Sequence, residues 1–194
     1  MKLIGHLILN LLWFYGFKIN FCPDELVVMS LEFKNIYLLL GSNLGNRQLL
    51  LKNAIDLIDQ KVGDVFAQSA IYETAAWGKT DQPGFLNLAI GVQTKLTPLE
   101  VLDSVLQIET KLGRVREEKW GSRLIDIDII FYADEVIQIT DRLIIPHPEM
   151  QHRKFVLQPL SDIASDFIHP VTQQNIAQML SHLSDTLAVK KLTS

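Results

Sequence analysis

The stretch "RLIDIDIIFY", residues 123–132, decides the fold. It reads as a strand, with isoleucines alternating against aspartates before an apolar close. Residues two apart in a strand point to the same side. Ile125, Ile127 and Ile129 therefore feed a core, and Asp126 and Asp128 share the opposite face. The carboxylates lie about 6.6 Å apart along the strand at a rise of roughly 3.3 Å per residue. Like charges that close raise one another's pKa unless a cation lies between them. Aspartate is also a poor strand former. Paired hard oxygen donors with no adjacent His or Cys suit magnesium, which takes one or two protein carboxylates and fills its shell with water and phosphate. The competing reading is a strand with one solvated face, which is ordinary in antiparallel sheets.

Immediately upstream lie Lys111, Arg114, Arg116, Lys119 and Arg123. The guanidinium fork suits bidentate phosphate contact. Acids for a metal beside arginines for phosphates point to a nucleoside-triphosphate site. The alternative for the arginines is a surface cluster neutralised by Glu117 and Glu118.

Further upstream, "NIYLLLG" (35–41) reads as a central strand ending in glycine, and "GSNLGNR" (41–47) as a turn. That turn lacks the GK[ST] ending of a P-loop. It is read mainly as a structural turn that also shapes the site floor, with Asn43 a candidate helix cap. Leu50, Ala54, Ile55 and Ile58 follow at helical spacing. "VFAQSAIYET" (65–74) reads as a second strand, "AAWGKTDQPG" (75–84) as a loop and "FLNLAIGVQT" (85–94) as a third strand. "TPLEVLDSVLQIETKLG" (97–113) is a helix with Thr97 as N-cap, Pro98 at N1, Glu100 completing a capping box and Gly113 closing it. After the fourth strand come a turn at "ADE", a short fifth strand, the extended "LIIPHPEM" (143–150) and helical stretches at 150–164 and 172–183. The order β-α-β-β-α-β is the ferredoxin-like arrangement. The expected fold is therefore α+β, with a mostly antiparallel sheet and additional C-terminal helices on one side.

The chain has 194 residues, 48% of them hydrophobic, which suffices for one full domain. A net charge of -4 disfavours nucleic acid as a partner. The lone cysteine, Cys22, excludes an internal disulfide and fits a cytoplasmic protein. Residues 1–28 are an apolar N-terminal extension, read as dispensable and as a start-site extension before Met29; residues 29–194 form the domain. A membrane-associating helix is the lesser reading of 1–28, because the run is short and broken by Gly5, His6 and Asn10. A signal peptide ranks last, since no small-x-small cleavage site follows.

"LLLGSNLGNR", "YETAAWGKTDQPGFLN", "GRVREEKWGSRLIDIDIIFY" and "IPHPEMQHRKFVLQPL" together resemble the 6-hydroxymethyl-7,8-dihydropterin pyrophosphokinase family, from about residue 36 to 183. The resemblance implies a ferredoxin-like α+β fold and ATP-dependent transfer of pyrophosphate to the hydroxymethyl group of a reduced pterin, with release of AMP, in folate biosynthesis. It implies two magnesium ions on Asp126 and Asp128, and small-molecule partners only: ATP and the pterin. Arg114 and Arg123 would hold phosphates, Arg116 would assist, and Trp120 would close over the substrates with Gly121 as hinge. Thr74, Trp77, Phe85, Asn87 and Phe155 would form the pterin site. Glu109, Ile129, Arg142, Leu143, Ile144, His147 and Arg153 would complete the ATP site, whereas His152, His169 and His182 carry no expected role. Departures from the family pattern are "AAWG" where "PPxG" is common, one residue fewer before Trp120, and Pro148 in place of an aromatic. The reading set against the enzyme is a non-catalytic ferredoxin-like nucleotide- or RNA-binding module. It would call for a basic balance and aromatics on the sheet face, where this sequence puts Asp126 and Asp128.

Overall fold

Every hydrogen-bonded neighbour in the main sheet runs antiparallel, although four of its strands are joined by helical crossovers. A computed structural model of the chain describes residues 32–74, 83–114, 124–139 and 142–192. Strand β1 (Lys34–Ser42) leads through helix α1 (Arg47–Lys61) to β2 (Asp64–Gln68) and β3 (Tyr72–Thr74). Strand β4 (Phe85–Thr94) leads through α2 (Pro98–Lys111) to β5 (Asp126–Tyr132). The two β-α-β units interleave, giving the order β5-β1-β4-β3, with β2 pairing further along β4. This is the ferredoxin-like order expected from the sequence.

Strand alternation assigns the two faces. Ile36, Leu38 and Leu40 of β1, Leu86, Leu88, Ile90 and Val92 of β4, and Ile127 and Ile129 of β5 point toward α1 and α2. There they meet Leu51, Ala54 and Ile58 of α1 and Val101, Val105 and Ile108 of α2. Each fully buried side chain of this kind contributes roughly 1.5–3 kcal/mol. Leu39, Ala89 and Phe131 point the other way, against α3 (Lys154–Ala164) and α4 (Ile176–Ser181). The C-terminal helices thus cover one side of the sheet. On β5 the register shifts by one residue beyond Ile129, so Ile130 and Phe131 both join this second core.

Helix α2 starts as its sequence dictates: Thr97 Oγ1 accepts from the Glu100 N–H, and the Glu100 carboxylate accepts from the Thr97 N–H. Gly113 closes it at φ +89°, the left-handed conformation glycine adopts freely. The cap of α1 differs from expectation. Asn46, not Asn43, accepts from the Leu49 N–H, while the Asn43 amide donates to the Pro83 carbonyl. The expected second strand is two strands. At the break, the Ser69 N–H still donates to the Ala89 carbonyl, but the Ser69 hydroxyl accepts from the Ala89 N–H and the Asp162 carboxylate accepts from the Ala70 N–H, so side chains take the place of ladder carbonyls as acceptors. The expected fifth strand, β6 (Ile137–Ile139), pairs with β7 (Leu143–Ile145) in a separate ribbon. Residues 150–152 form a 3-10 turn, and Arg153 is extended, so the helix read from residue 150 begins at Lys154. A last strand, β8 (Val189–Lys191), pairs with β3 and was not expected. Among the described residues no helix is long and apolar enough to cross a membrane.

His169 knots the turn between α3 and α4. Its Nδ1 accepts from the Val171 and Thr172 N–H groups, and its ring meets Phe131 edge-on. At 3% exposure, burial holds its pKa below the ordinary value of 6.5. The unfolded chain therefore binds a proton that the folded chain refuses, and stability falls as pH drops below about 6.5. Urea midpoints of the wild type should decline from pH 7.5 to pH 5.5. His169→Gln should be less stable at pH 7.5 and show a shallower decline. An unchanged slope would remove His169 as a source of it.

Candidate active site

Strand β5 carries both aspartates, each half-buried, on the face away from α1 and α2. Asp126 pairs with Gly41 of β1, and Gly41 pairs in turn with Asn87 of β4. At Gly41 three expected site residues converge. A Cβ placed there would lie 3.2 Å from Asn87 Oδ1, 3.9 Å from Phe85 Cδ1 and 4.0 Å from Asp126 Cβ. Thr74 joins them: its hydroxyl accepts a 3.0 Å hydrogen bond from the Asn87 amide, and both residues are buried. A buried amide, an aromatic ring and a carboxylate thus share one floor. Sequence reading took Gly41 as a strand end and the start of a turn that also shapes the site floor. It lies inside β1, and a glycine within an apolar strand is a sign of close approach.

Behind β5 stands Glu109, on the last turn of α2 and 2% exposed. Its Oε1 accepts from the Ile127 N–H at 2.8 Å, between the two aspartates in sequence. The same oxygen pairs with Arg114 Nη1, which also reaches Asp126 Oδ1 at 2.6 Å. Burial pushes the Glu109 carboxyl above its ordinary range, against the opposing pull of Arg114 and the Ile127 N–H. Arg114 is therefore a cation shared by two carboxylates, and only one of them, Asp126, lies on the face with Asn87 and Phe85.

A second group gathers after β7. The His147 N–H donates to the Ile130 carbonyl of β5, and its Nδ1 accepts from the Glu149 N–H. Burial first, then the Arg153 charge, holds the His147 pKa down; Glu149 and Asp126 pull it up. Arg153 approaches Glu149 at 3.9 Å, and its guanidinium lies 5.8 Å from the Phe155 ring centroid. Glu149 carries no expectation from the sequence. Arg142 pairs with Asp103 on α2, and both are exposed. The side chains of Ile129 and Leu143 are buried in the core, and that of Ile144 is exposed. Trp77, Arg116, Trp120, Gly121, Arg123 and the extension 1–28 lie outside the described residues.

The donor set fits magnesium. Asp126 already accepts a cation, the Arg114 guanidinium. Among the described residues no cluster of three or more His, Cys, Asp or Glu forms a protein-only cage. Two carboxylates on one strand face leave the other positions to water and phosphate oxygens.

Residues 37–165 match the family 7,8-dihydro-6-hydroxymethylpterin-pyrophosphokinase (HPPK). The chain belongs to this family. A Methylorubrum extorquens 2-amino-4-hydroxy-6-hydroxymethyldihydropteridine pyrophosphokinase is 47% identical over 134 residues, 68% of this chain and 84% of that one. The Haemophilus influenzae protein of the same name is 38% identical over 155 residues, 79% of this chain and 96% of that one. A Plasmodium falciparum HPPK-DHPS structure with pterin and p-hydroxybenzoate superposes with a TM-score of 0.64 at 19% identity, over 77% of this chain and 43% of that one. The chain spans less than half of that solved HPPK-DHPS chain, and the likeness shows the HPPK fold.

Proposed function

We infer that the chain transfers the pyrophosphoryl group of ATP, as one unit, to the hydroxymethyl oxygen of 6-hydroxymethyl-7,8-dihydropterin in folate biosynthesis. The pterin hydroxyl oxygen bonds to the β-phosphorus and gives up its proton to solvent, the bond from that phosphorus to the bridging α,β-oxygen breaks, and AMP leaves with that oxygen. The observation that carries this reading is the convergence of Phe85, Asn87 and Asp126 at Gly41. A flat heteroaromatic ring and a polyphosphate need such adjoining features. HPPK membership favours the enzyme over a binding module that keeps only the fold.

Each residue then has a task. The Asn87 amide meets the polar edge of the ring, and Phe85 and Phe155 wall its faces. Thr74 and Trp77 contribute main-chain contacts. Asp126 and Asp128 would hold magnesium, in our reading two ions, which would supply neutralisation of the charge that develops during transfer. Arg114, Arg116 and Arg123 hold phosphates, and Trp120 excludes water that competes as nucleophile. Arg142, Ile144, His147 and Arg153 seat the nucleotide, with Ile129 and Leu143 acting through their main chain, since their side chains are in the core. These tasks all fall within residues 29–194.

The test supplies ATP, magnesium and 6-hydroxymethyl-7,8-dihydropterin and separates the nucleotide products. AMP should appear in step with the pterin pyrophosphate, and a chain starting at Met29 should match the full chain. ADP as the product, or no turnover with any pterin, would refute the reading.

A further inference from the structure

The "GSNLGNR" turn contributes an arginine that no task above uses. Arg47 opens α1, and its Nη1 makes two hydrogen bonds, both 2.8 Å: to Glu73 Oε1 on β3 and to the Gly84 carbonyl just before β4. We propose that Arg47 is a positioning residue for the pterin, holding the open end of the β3–β4 pair from behind. The proposal rests on the pyrophosphokinase reading.

The geometry is particular. Thr74 and Phe85 form the last matched pair of β3 and β4, and Glu73 and Gly84 are their immediate neighbours. By alternation, Glu73 points to the α1 side while Thr74, Phe85 and Asn87 point to the site. One nitrogen from α1 thus ties both strands at the step where the site begins. The close approach there needs glycine: a Cβ at Gly84 would lie 2.9 Å from the Thr74 carbonyl. The Asn43 amide adds a 3.3 Å bond to the Pro83 carbonyl from the same turn.

Magnitudes decide what this clamp is for. The side chains of Arg47 and Glu73 are 31% and 39% exposed. An ion pair that wet adds little to stability. It does fix the separation of Thr74 from Phe85, and with it the direction of the Asn87 amide, which Thr74 Oγ1 receives. Partners that orient metal ligands typically matter by about tenfold to a hundredfold, and an effect at the lower end of that range is expected for this clamp.

The experiment measures AMP release while each substrate is varied, on wild type, Arg47→Ala, Arg47→Lys and Glu73→Gln. It also measures dihydropterin binding in the presence of magnesium and a non-hydrolysable α,β-methylene ATP. Arg47→Ala should raise the pterin KM and Kd by about tenfold or more, with the ATP KM changed by less than about threefold. Arg47→Lys should recover part of the loss, and Glu73→Gln should show a smaller shift of the same kind. Thermal midpoints of Arg47→Lys and Glu73→Gln should stay near wild type, since the pair is exposed. An unchanged pterin KM in Arg47→Ala, or an equal loss for both substrates in Glu73→Gln, would overturn the assignment. A wild type without AMP release would fail the pyrophosphokinase reading instead.

Discussion

Asp126→Ala and Asp128→Ala should each lower the rate of AMP release by at least about a hundredfold, because on the proposed reading each removes a ligand from a cation that would neutralise developing charge. Both side chains are half-buried on the site face, and the core packing of β5 comes from Ile127 and Ile129. The substitutions should therefore leave the fold in place, which thermal unfolding checks. Alanine is no poorer a strand former than the aspartate it replaces, and it relieves the repulsion of two neighbouring carboxylates. Asp126→Asn separates shape from charge: it keeps the side-chain volume and an acceptor oxygen while giving up the negative charge that attracts a divalent ion. The two variants should also weaken Mn2+ binding in the presence of ATP, read by paramagnetic resonance with no turnover required. Full activity in either alanine variant would remove the acid pair from the mechanism. A lost rate with unaltered Mn2+ affinity would leave the carboxylates a role other than metal binding.

Much of this site was legible from spacing. Period-two alternation put Asp126 and Asp128 together and opposite the core, and it put Leu86, Leu88, Ile90 and Val92 on one face of β4. Local chemistry fixed the start and end of α2. What sequence could not supply is contact across the chain. The 3.0 Å bond between Asn87 and Thr74 joins residues 13 apart, and the Ile127 N–H reaches a carboxylate 18 residues before it. Neither has a local signature. The cap of α1 was misassigned for a related reason. Asn43 and Asn46 are equivalent as sequence, and Asn43 is taken by the Pro83 carbonyl from a distant segment. The division of the second strand at Ser69 likewise depends on Asp162 of α3, which no pattern within residues 65–74 reveals.

Glu109 offers the second large effect. Its carboxylate is almost fully buried and serves two donors at once, the Ile127 N–H and the Arg114 guanidinium. Glu109→Ala leaves a buried N–H and a largely buried guanidinium short of an acceptor. Losing such charge-assisted bonds costs about 1.5–3 kcal/mol of stability. The change also releases Arg114 from the side opposite Asp126. A guanidinium held by Asp126 alone is drawn toward the carboxylate proposed to hold magnesium, so metal and arginine would compete for it. Glu109→Gln is the sharper test. Its amide oxygen still accepts from the Ile127 N–H, so most of the fold's share survives, while the charge that balances Arg114 is gone. We expect Glu109→Gln to lower kcat/KM for ATP by roughly ten- to a hundredfold, the equivalent of one such bond. The loss should be partly recovered by raising magnesium, which displaces Arg114 from Asp126 by mass action. A variant with wild-type kcat/KM and wild-type magnesium dependence would reduce Glu109 to a strut for β5. A loss that no magnesium concentration recovers would separate the Arg114 contact from the metal site.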